Sequence, residues 1–253
     1  MDDLFDCIRA PNITAEHAFL GRQGGVSGGV FAGLNLGLSS GDVVEHVETN
    51  RDKVLNFFDS PPERCCAFHQ VHGDDIVHAT TGSWFERQAD AVITAERDLL
   101  LVVSVADCCP LLFYDPVQNV VAAAHCGWRG TVRRLAAKVV QSMCEDYGSE
   151  LKDIRVAIGM AIQQYNYQVG GEVWQAFVGA DFPSRLAYLD DEGRYRLDIV
   201  GGNVWALEQT GLPPNNIWNS QHCTYAQAER FFSYRRDKGK TGRHWALIKC
   251  PAK

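Results

Sequence analysis

The chain has 253 residues, 46% of them hydrophobic and 22% charged, with a formal net charge of -7 at pH 7. Nonspecific binding to a phosphate backbone rests on clustered Lys and Arg, so nucleic acid is not an expected partner of so acidic a chain. No apolar run approaches the roughly 20 residues of a membrane span, and MDDLFDCIRA is acidic where a secretory leader is basic, so a cytoplasmic protein without a membrane partner is expected.

No low-complexity tract or charge block marks a boundary and no long period repeats, so residues 1-253 read as a single domain with one large core. Near the start, GRQGGVSGGVFAGLNLGLSSGD holds eight glycines between Gly21 and Gly41. Their spacing fits neither phosphate-loop pattern, which leaves tight turns and hairpin corners. DVVEHVETNRDKVLNFF (42-58) then sets Val43, Val44, Val47, Val54, Leu55 and Phe58 at mostly helical spacing and predicts a helix carrying Arg51.

HQVHGDDIV (69-77) follows, with His69 and His72 three apart and His78 just beyond. Taken alone, this pattern suits a metal site, an acid/base pair or the polar rim of a strand. Three apolar runs, Leu99 to Val105, Leu111 to Tyr114 and Val120 to Ala124, read as three neighbouring strands separated by turn chemistry such as Asp115-Pro116 and Gln118-Asn119. Thr131 suits the cap of a helix whose apolar positions Val132, Leu135, Ala136, Val139, Val140 and Met143 keep helical spacing until Gly148. Beyond it come a strand over 154-158, a helix over about 172-178, a helix opened by Asp198 and closed by Gly211, and strands near Ile217 and over 244-248. Such a mixture of elements predicts an α/β or α+β sandwich.

Chemistry gathers where strands are expected to end: VHGDD after Phe68, ADCCP after Val105 and AHCGWRGT after Ala124. From these segments His72, Cys108 and His125 can each ligate a soft or borderline metal, although intervals of this length form no short zinc motif. The nine cysteines, including the pairs Cys65-Cys66 and Cys108-Cys109, form no CxxC pair and read mostly as buried free thiols.

QVHG (70-73), ADAVIT (89-94), ADCCPLLFYDP (106-116), AAAHCGWRGT (122-131) and FFSYRRDKGKTGR (231-243) together resemble the laccase-domain family of YfiH-like bacterial proteins. GGVSGGVFAGLNLG (24-37) and the Asn50-Arg51 pair match it as well, so the likeness covers nearly the whole chain. It implies a single-domain α+β fold of layered mixed β-sheets flanked by helices, with His72, Cys108 and His125 on the family's zinc-ligand positions. His69 is then a neighbour of the site, His78 a strand residue, and Cys109 a packing residue before Pro110.

The implied activity is phosphorolysis of purine nucleosides (adenosine, inosine, guanosine and methylthioadenosine) with deamination of adenosine, so the expected partners are a small-molecule substrate and phosphate, taken by a monomer. Under that reading Asp107 and Asp90 are the available carboxylates, the first catalytic and the second substrate-binding, Arg51 and Arg129 the phosphate contacts, and Asn35 and Gln70 the amides that orient sugar or base. Arg129 has an alternative use, stacking on Trp128. Arg235, Arg236, Lys240 and Arg243 read by composition as an exposed basic loop.

Three other functions use the same residues. A cysteine hydrolase acting on peptidoglycan precursors would take Cys108 as nucleophile and His125 as base, without metal. The family's older name points to copper and phenol oxidation, for which one Cys and two His are too few to build a multicopper centre. A zinc-stabilised binding module would need a fourth protein ligand, for which only Cys109 and Cys126 stand near. The segment IGMAIQQYNYQVGGEV (158-173) departs from the family pattern at Met160, Gln163 and Tyr165.

Overall fold

The computed structural model describes residues 4-252, apart from the side chains of residues 84-86. Two six-stranded mixed sheets lie face to face. The first has the order β1 (Cys7–Ile8), β2 (His17–Leu20), β15 (His244–Lys249), β7 (Leu100–Val105), β3 (Cys65–His69), β5 (Ser83–Gln88). The second runs β14 (Ile217–Asn219), β10 (Arg155–Ile158), β8 (Cys109–Asp115), β9 (Val120–Cys126), β6 (Ala91–Thr94), β4 (Ile76–His78). A small third sheet of β11 (Gln168–Val169), β13 (Tyr195–Leu197) and β12 (Ala187–Leu189) stands beside them.

Alternation along the strands explains the layers. In β7, Leu101, Val103 and Val105 enter the core between the sheets with Leu112 and Tyr114 of β8 and Val121 and Ala123 of β9. The intervening Leu100 and Val102 face outward onto Val54, Leu55 and Phe58 at the end of α1 (Val44–Phe57). On the far side, Leu111 and Phe113 meet Leu135, Val139 and Met143 of α3 (Leu135–Tyr147) and Val200 and Leu207 of α5 (Ile199–Glu208). Both faces of each sheet are therefore buried, which is why the strands read as continuous apolar runs. The expected α+β architecture of layered mixed sheets flanked by helices is what the chain adopts.

Three local expectations are corrected. The three apolar runs are not neighbours in one sheet: β8 and β9 pair antiparallel, whereas β7 pairs with β15 and β3 in the facing sheet. Thr131 is not a helix cap but lies inside a short helix, α2 (Trp128–Val132), where its hydroxyl donates to Gly127 O at 3.0 Å. Arg134, at φ 58, breaks the chain between α2 and α3, so the long helix starts at Leu135 rather than at Val132. Gly148 does end it, in the left-handed conformation at φ 71. Val43 and Val44, finally, are exposed at the head of α1, and only its later apolar positions are buried.

Three connections pass from the first sheet to the second. Residues 70-75 join β3 to β4, residues 89-90 join β5 to β6, and residues 106-108 join β7 to β8. They carry His72, Asp90 and Cys108 in turn. His125 belongs to β9 itself, one residue before its end, rather than to a loop after the strand.

Candidate metal centre in an arginine-lined cavity

His72, Cys108 and His125 each offer one ligand atom, and the three atoms lie within 4.8 Å of one another. It is the single group of this kind among the described residues. The two imidazoles stand edge to face, with ring centroids 4.8 Å apart. Gly127 makes the approach possible: a Cβ there would stand 2.9 Å from His72 Cδ2 and 3.3 Å from Cys108 Sγ.

Asp90 orders the cluster from behind. Its carboxylate accepts from His125 Nδ1 at 2.7 Å, which turns the other ring nitrogen toward the thiol, and from the amides of Val71 (3.1 Å), His72 (3.1 Å) and Gly73 (2.6 Å). Those amides hold the turn in which His72 takes φ 58, a conformation that costs a non-glycine residue energy unless its surroundings fix it. Desolvation opposes ionisation of Asp90, but the hydrogen bond and charge of His125, with the amides, keep its carboxyl below the ordinary range.

Burial would raise the Cys108 thiol, yet the charge of His125 and hydrogen bonds from both histidines outweigh it and bring the thiol down to about 6. Burial likewise opposes protonation of His125, and the Cys108 charge with Asp90 drives it upward instead. The neighbouring thiols behave in the opposite way. Cys109 and Cys126 sit opposite each other in the β8–β9 ladder, fully buried, and burial pushes both far above the ordinary thiol range. They are packing residues, and all nine cysteines are free thiols.

The cluster opens into a cavity of about 660 Å³ whose wall includes Arg51, Arg129, Arg235 and Arg243, with Phe68, His69, Trp128, Ile162, Tyr167 and Tyr234. Arg51 donates Nε to Leu36 O at 2.9 Å, and burial lowers its guanidinium to about 10 against the opposing charge of Glu48. Arg129 lies 4.2 Å over the Trp128 ring, the stacking expected of it, and also lines the cavity. Asp107, at φ 92, reaches the wall beside Cys108, but both carboxylate oxygens are occupied: one accepts from Thr224 Oγ1 at 2.6 Å, the other from Arg235 N at 2.7 Å.

Three residues expected to bind substrate, Asn35, Asp90 and Gln70, have hydrogen-bond partners within the protein. Asn35 is fully buried off the cavity wall, where its amide donates to Ser40 and Asp42 and accepts from the backbone of Gly37 and Arg243. Asp90 is 1% exposed and stands behind His125. Gln70 does line the cavity, but its amide donates to Ser104 O and accepts from Ser104 N, both at 2.7 Å, replacing a strand partner at the end of β7. Conversely, Arg235 and Arg243 do not belong to a purely external basic loop. The segment 233-243 folds back so that both line the cavity, while Arg236 pairs with Asp237 and binds the carbonyls of Thr224, Tyr225 and Phe231. Their role had no local signal, because it depends on contact with residues more than 100 positions away. In the divergent segment, Ile162 and Tyr167 reach the wall, whereas Met160 packs between the sheets.

Residues 16-251 match the family model described as multi-copper polyphenol oxidoreductase laccase. The chain belongs to this laccase-domain family. The chain is 40% identical over 244 residues to a purine nucleoside phosphorylase of Deinococcus radiodurans, covering 96% of this chain and 92% of that one. It is 36% identical over 227 residues to the purine nucleoside phosphorylase YfiH of Escherichia coli, covering 90% of each. Among solved structures, YlmD from Geobacillus stearothermophilus superposes with a TM-score of 0.90 at 33% identity, over 98% of this chain and 99% of that one. A YfiH protein of Bacillus licheniformis gives 0.87 at 34% identity, over 92% and 91%. For a laccase-domain protein the donor set is informative: one thiol and two imidazoles suit a borderline metal with a coordination position left open, and a multicopper centre would need further histidine clusters. No helix among the described residues is long and apolar enough to cross a membrane.

Proposed function

We propose that the protein is a zinc-dependent purine nucleoside phosphorylase that also deaminates adenosine, working as a single-domain cytoplasmic monomer. The observation that carries this reading is the convergence of His72, Cys108 and His125 with four arginines on one cavity. Three nitrogen and sulfur donors, with the cavity on their open side, fit zinc better than an all-oxygen cation, and copper is the alternative occupant. When bound there, zinc supplies a Lewis acid that polarises a substrate oxygen or acidifies water.

The chain's own side chains supply the remainder. Arg51 and Arg129 hold phosphate oxygens by charge-assisted hydrogen bonds and place the anion against C1′ of the ribose. Phe68, Trp128 and Tyr167 offer apolar and aromatic surface to the purine. In phosphorolysis the C1′–N9 bond breaks, a C1′–O bond to phosphate forms, and the purine leaves with a proton. In deamination water adds at C6 and ammonia departs. Asp107 and Asp90, engaged as they are, act as positioning residues: the first holds Arg235 and the second holds His125.

The test pairs metal analysis with turnover. Stoichiometric zinc and phosphate-dependent release of adenine from adenosine, both lost in Cys108→Ala, are expected. Absence of metal together with absence of turnover of every purine nucleoside refutes the proposal. The adjacency of Cys108 and His125 favours a second reading, a cysteine hydrolase, and separates from the first by metal: such an enzyme works in chelator and is inhibited by zinc.

A further inference from the structure

Four guanidinium groups share one cavity in a chain whose net charge is -7. They are carried by different parts of the fold: Arg51 by α1, Arg129 by α2, and Arg235 and Arg243 by the folded-back 233-243 segment. Arg51 and Arg243 are both tied to the 35-37 segment: Arg51 donates to Leu36 O, while the Arg243 amide donates to Asn35 Oδ1 at 2.9 Å and its carbonyl accepts from Leu36 N at 3.0 Å. Gly37 is required there, because a Cβ would stand 2.5 Å from Arg243 Cγ. Arg129 and Arg235 line the cavity with Tyr167. Arg235 lies 5.3 Å over that ring, and the charges of both arginines act on the Tyr167 hydroxyl.

Each of the four rests on an aromatic ring. The distances are 5.0 Å for Arg51 on Trp245, 5.3 Å for Arg243 on Tyr234, 4.2 Å for Arg129 on Trp128 and 5.3 Å for Arg235 on Tyr167. Stacking fixes a guanidinium plane before any ligand arrives and directs its N–H donors along the ring edge. Among the described residues Asp107 is the sole carboxylate on the cavity wall, and it is already bonded to Thr224 and the Arg235 amide. Arg129, Arg235 and Arg243 make no ion pair among the described residues. Orthophosphate carries roughly one to two negative charges near neutral pH, so a single such ion leaves this much fixed positive charge poorly matched.

Resting on the phosphorylase reading, we propose that the cavity holds two anionic groups at once, orthophosphate at Arg51 and Arg129 and the 5′-phosphate of a nucleoside monophosphate at Arg235 and Arg243. The ligand class of the site thus extends from nucleosides to their 5′-phosphates. Low-dielectric walls concentrate the field of the arginines and favour the dianionic ligand over its neutral parent.

The test is calorimetric titration of the zinc-loaded full chain with AMP, adenosine and orthophosphate. AMP is expected to bind about tenfold or more tightly than adenosine, and its complex is expected still to take up orthophosphate. Arg243→Gln and Arg129→Gln are expected to weaken different anions, one AMP and the other orthophosphate. Equal affinity for AMP and adenosine, mutual exclusion of AMP and orthophosphate, or indifference of AMP to both substitutions overturns the proposal. If adenosine is phosphorolysed but AMP has no advantage, the two-anion cavity falls and the phosphorylase reading stands. If AMP and orthophosphate bind together but no nucleoside is cleaved, the reverse holds.

Discussion

Asp90 Oδ1 lies 2.7 Å from His125 Nδ1, and the same carboxylate binds the backbone of the turn that presents His72. One buried group thus orients one candidate ligand through its ring and the other through its main chain. Asp90→Asn is expected to lower zinc affinity by about 10- to 100-fold, the usual effect of removing an outer-shell partner. Competition with a chromophoric chelator measures this, and unchanged affinity would show that the two histidines hold their places unaided.

Gly127 adopts φ -69 and ψ 172, which alanine tolerates, so Gly127→Ala isolates the steric effect of one methyl group. That methyl would press on His72 and Cys108 together. Zinc stoichiometry is expected to fall while the far-ultraviolet circular dichroism stays that of the parent. A variant that still binds one zinc per chain with parental affinity contradicts the close approach.

Thr224→Val removes the hydroxyl that donates to Asp107 at 2.6 Å without changing the side-chain volume greatly. Asp107 then holds the Arg235 amide less firmly, and the arginine drifts from its place on the cavity wall. The expected outcome is a several-fold rise in KM for phosphate with kcat nearly unchanged. An equal fall in kcat at saturating phosphate would instead mean that Asp107 touches the reacting atoms.

His244 is fully buried, accepts the Phe232 amide at 2.7 Å on Nε2, and has its pKa lowered from 6.5 to about 4 by burial, with the Arg22 charge acting in the same direction. Between these two values the unfolded chain binds the proton and the native chain does not. Stability contributed by the neutral ring is therefore fully present above pH 6.5 and lost as pH falls toward 4, an effect on the order of a few kcal/mol. His17, also buried and lowered, adds in the same direction. Urea unfolding at pH 7 and pH 5 should show the loss in the parent and a smaller one in His244→Gln.

Elements with short-range causes were readable in the sequence: the β7, β8 and β9 runs, the stop at Gly148, and Asp198, whose carboxylate accepts from Gly201 N at 2.7 Å to open α5. Sheet membership was not, because β7 and β8 are adjacent in sequence yet pair in different sheets, and pairing is decided by partners far along the chain. Residue type marked His72, Cys108 and His125. It could not tell that Gln70 would spend its amide on Ser104, that Asn35 would face inward, or that Arg235 and Arg243 would fold back onto the cavity. Polar groups advertise that they need partners, and only the assembled fold says which partners they find.

Two of the candidate ligands ride on the connections by which the chain leaves one sheet for the other, and the third belongs to the second sheet. An ion held by all three is a rivet through the sandwich. Its affinity reports how tightly the layers are pressed together, so a void opened in the shared core at Leu101 or Leu112, away from any ligand, would surface first as a chain that sheds its metal.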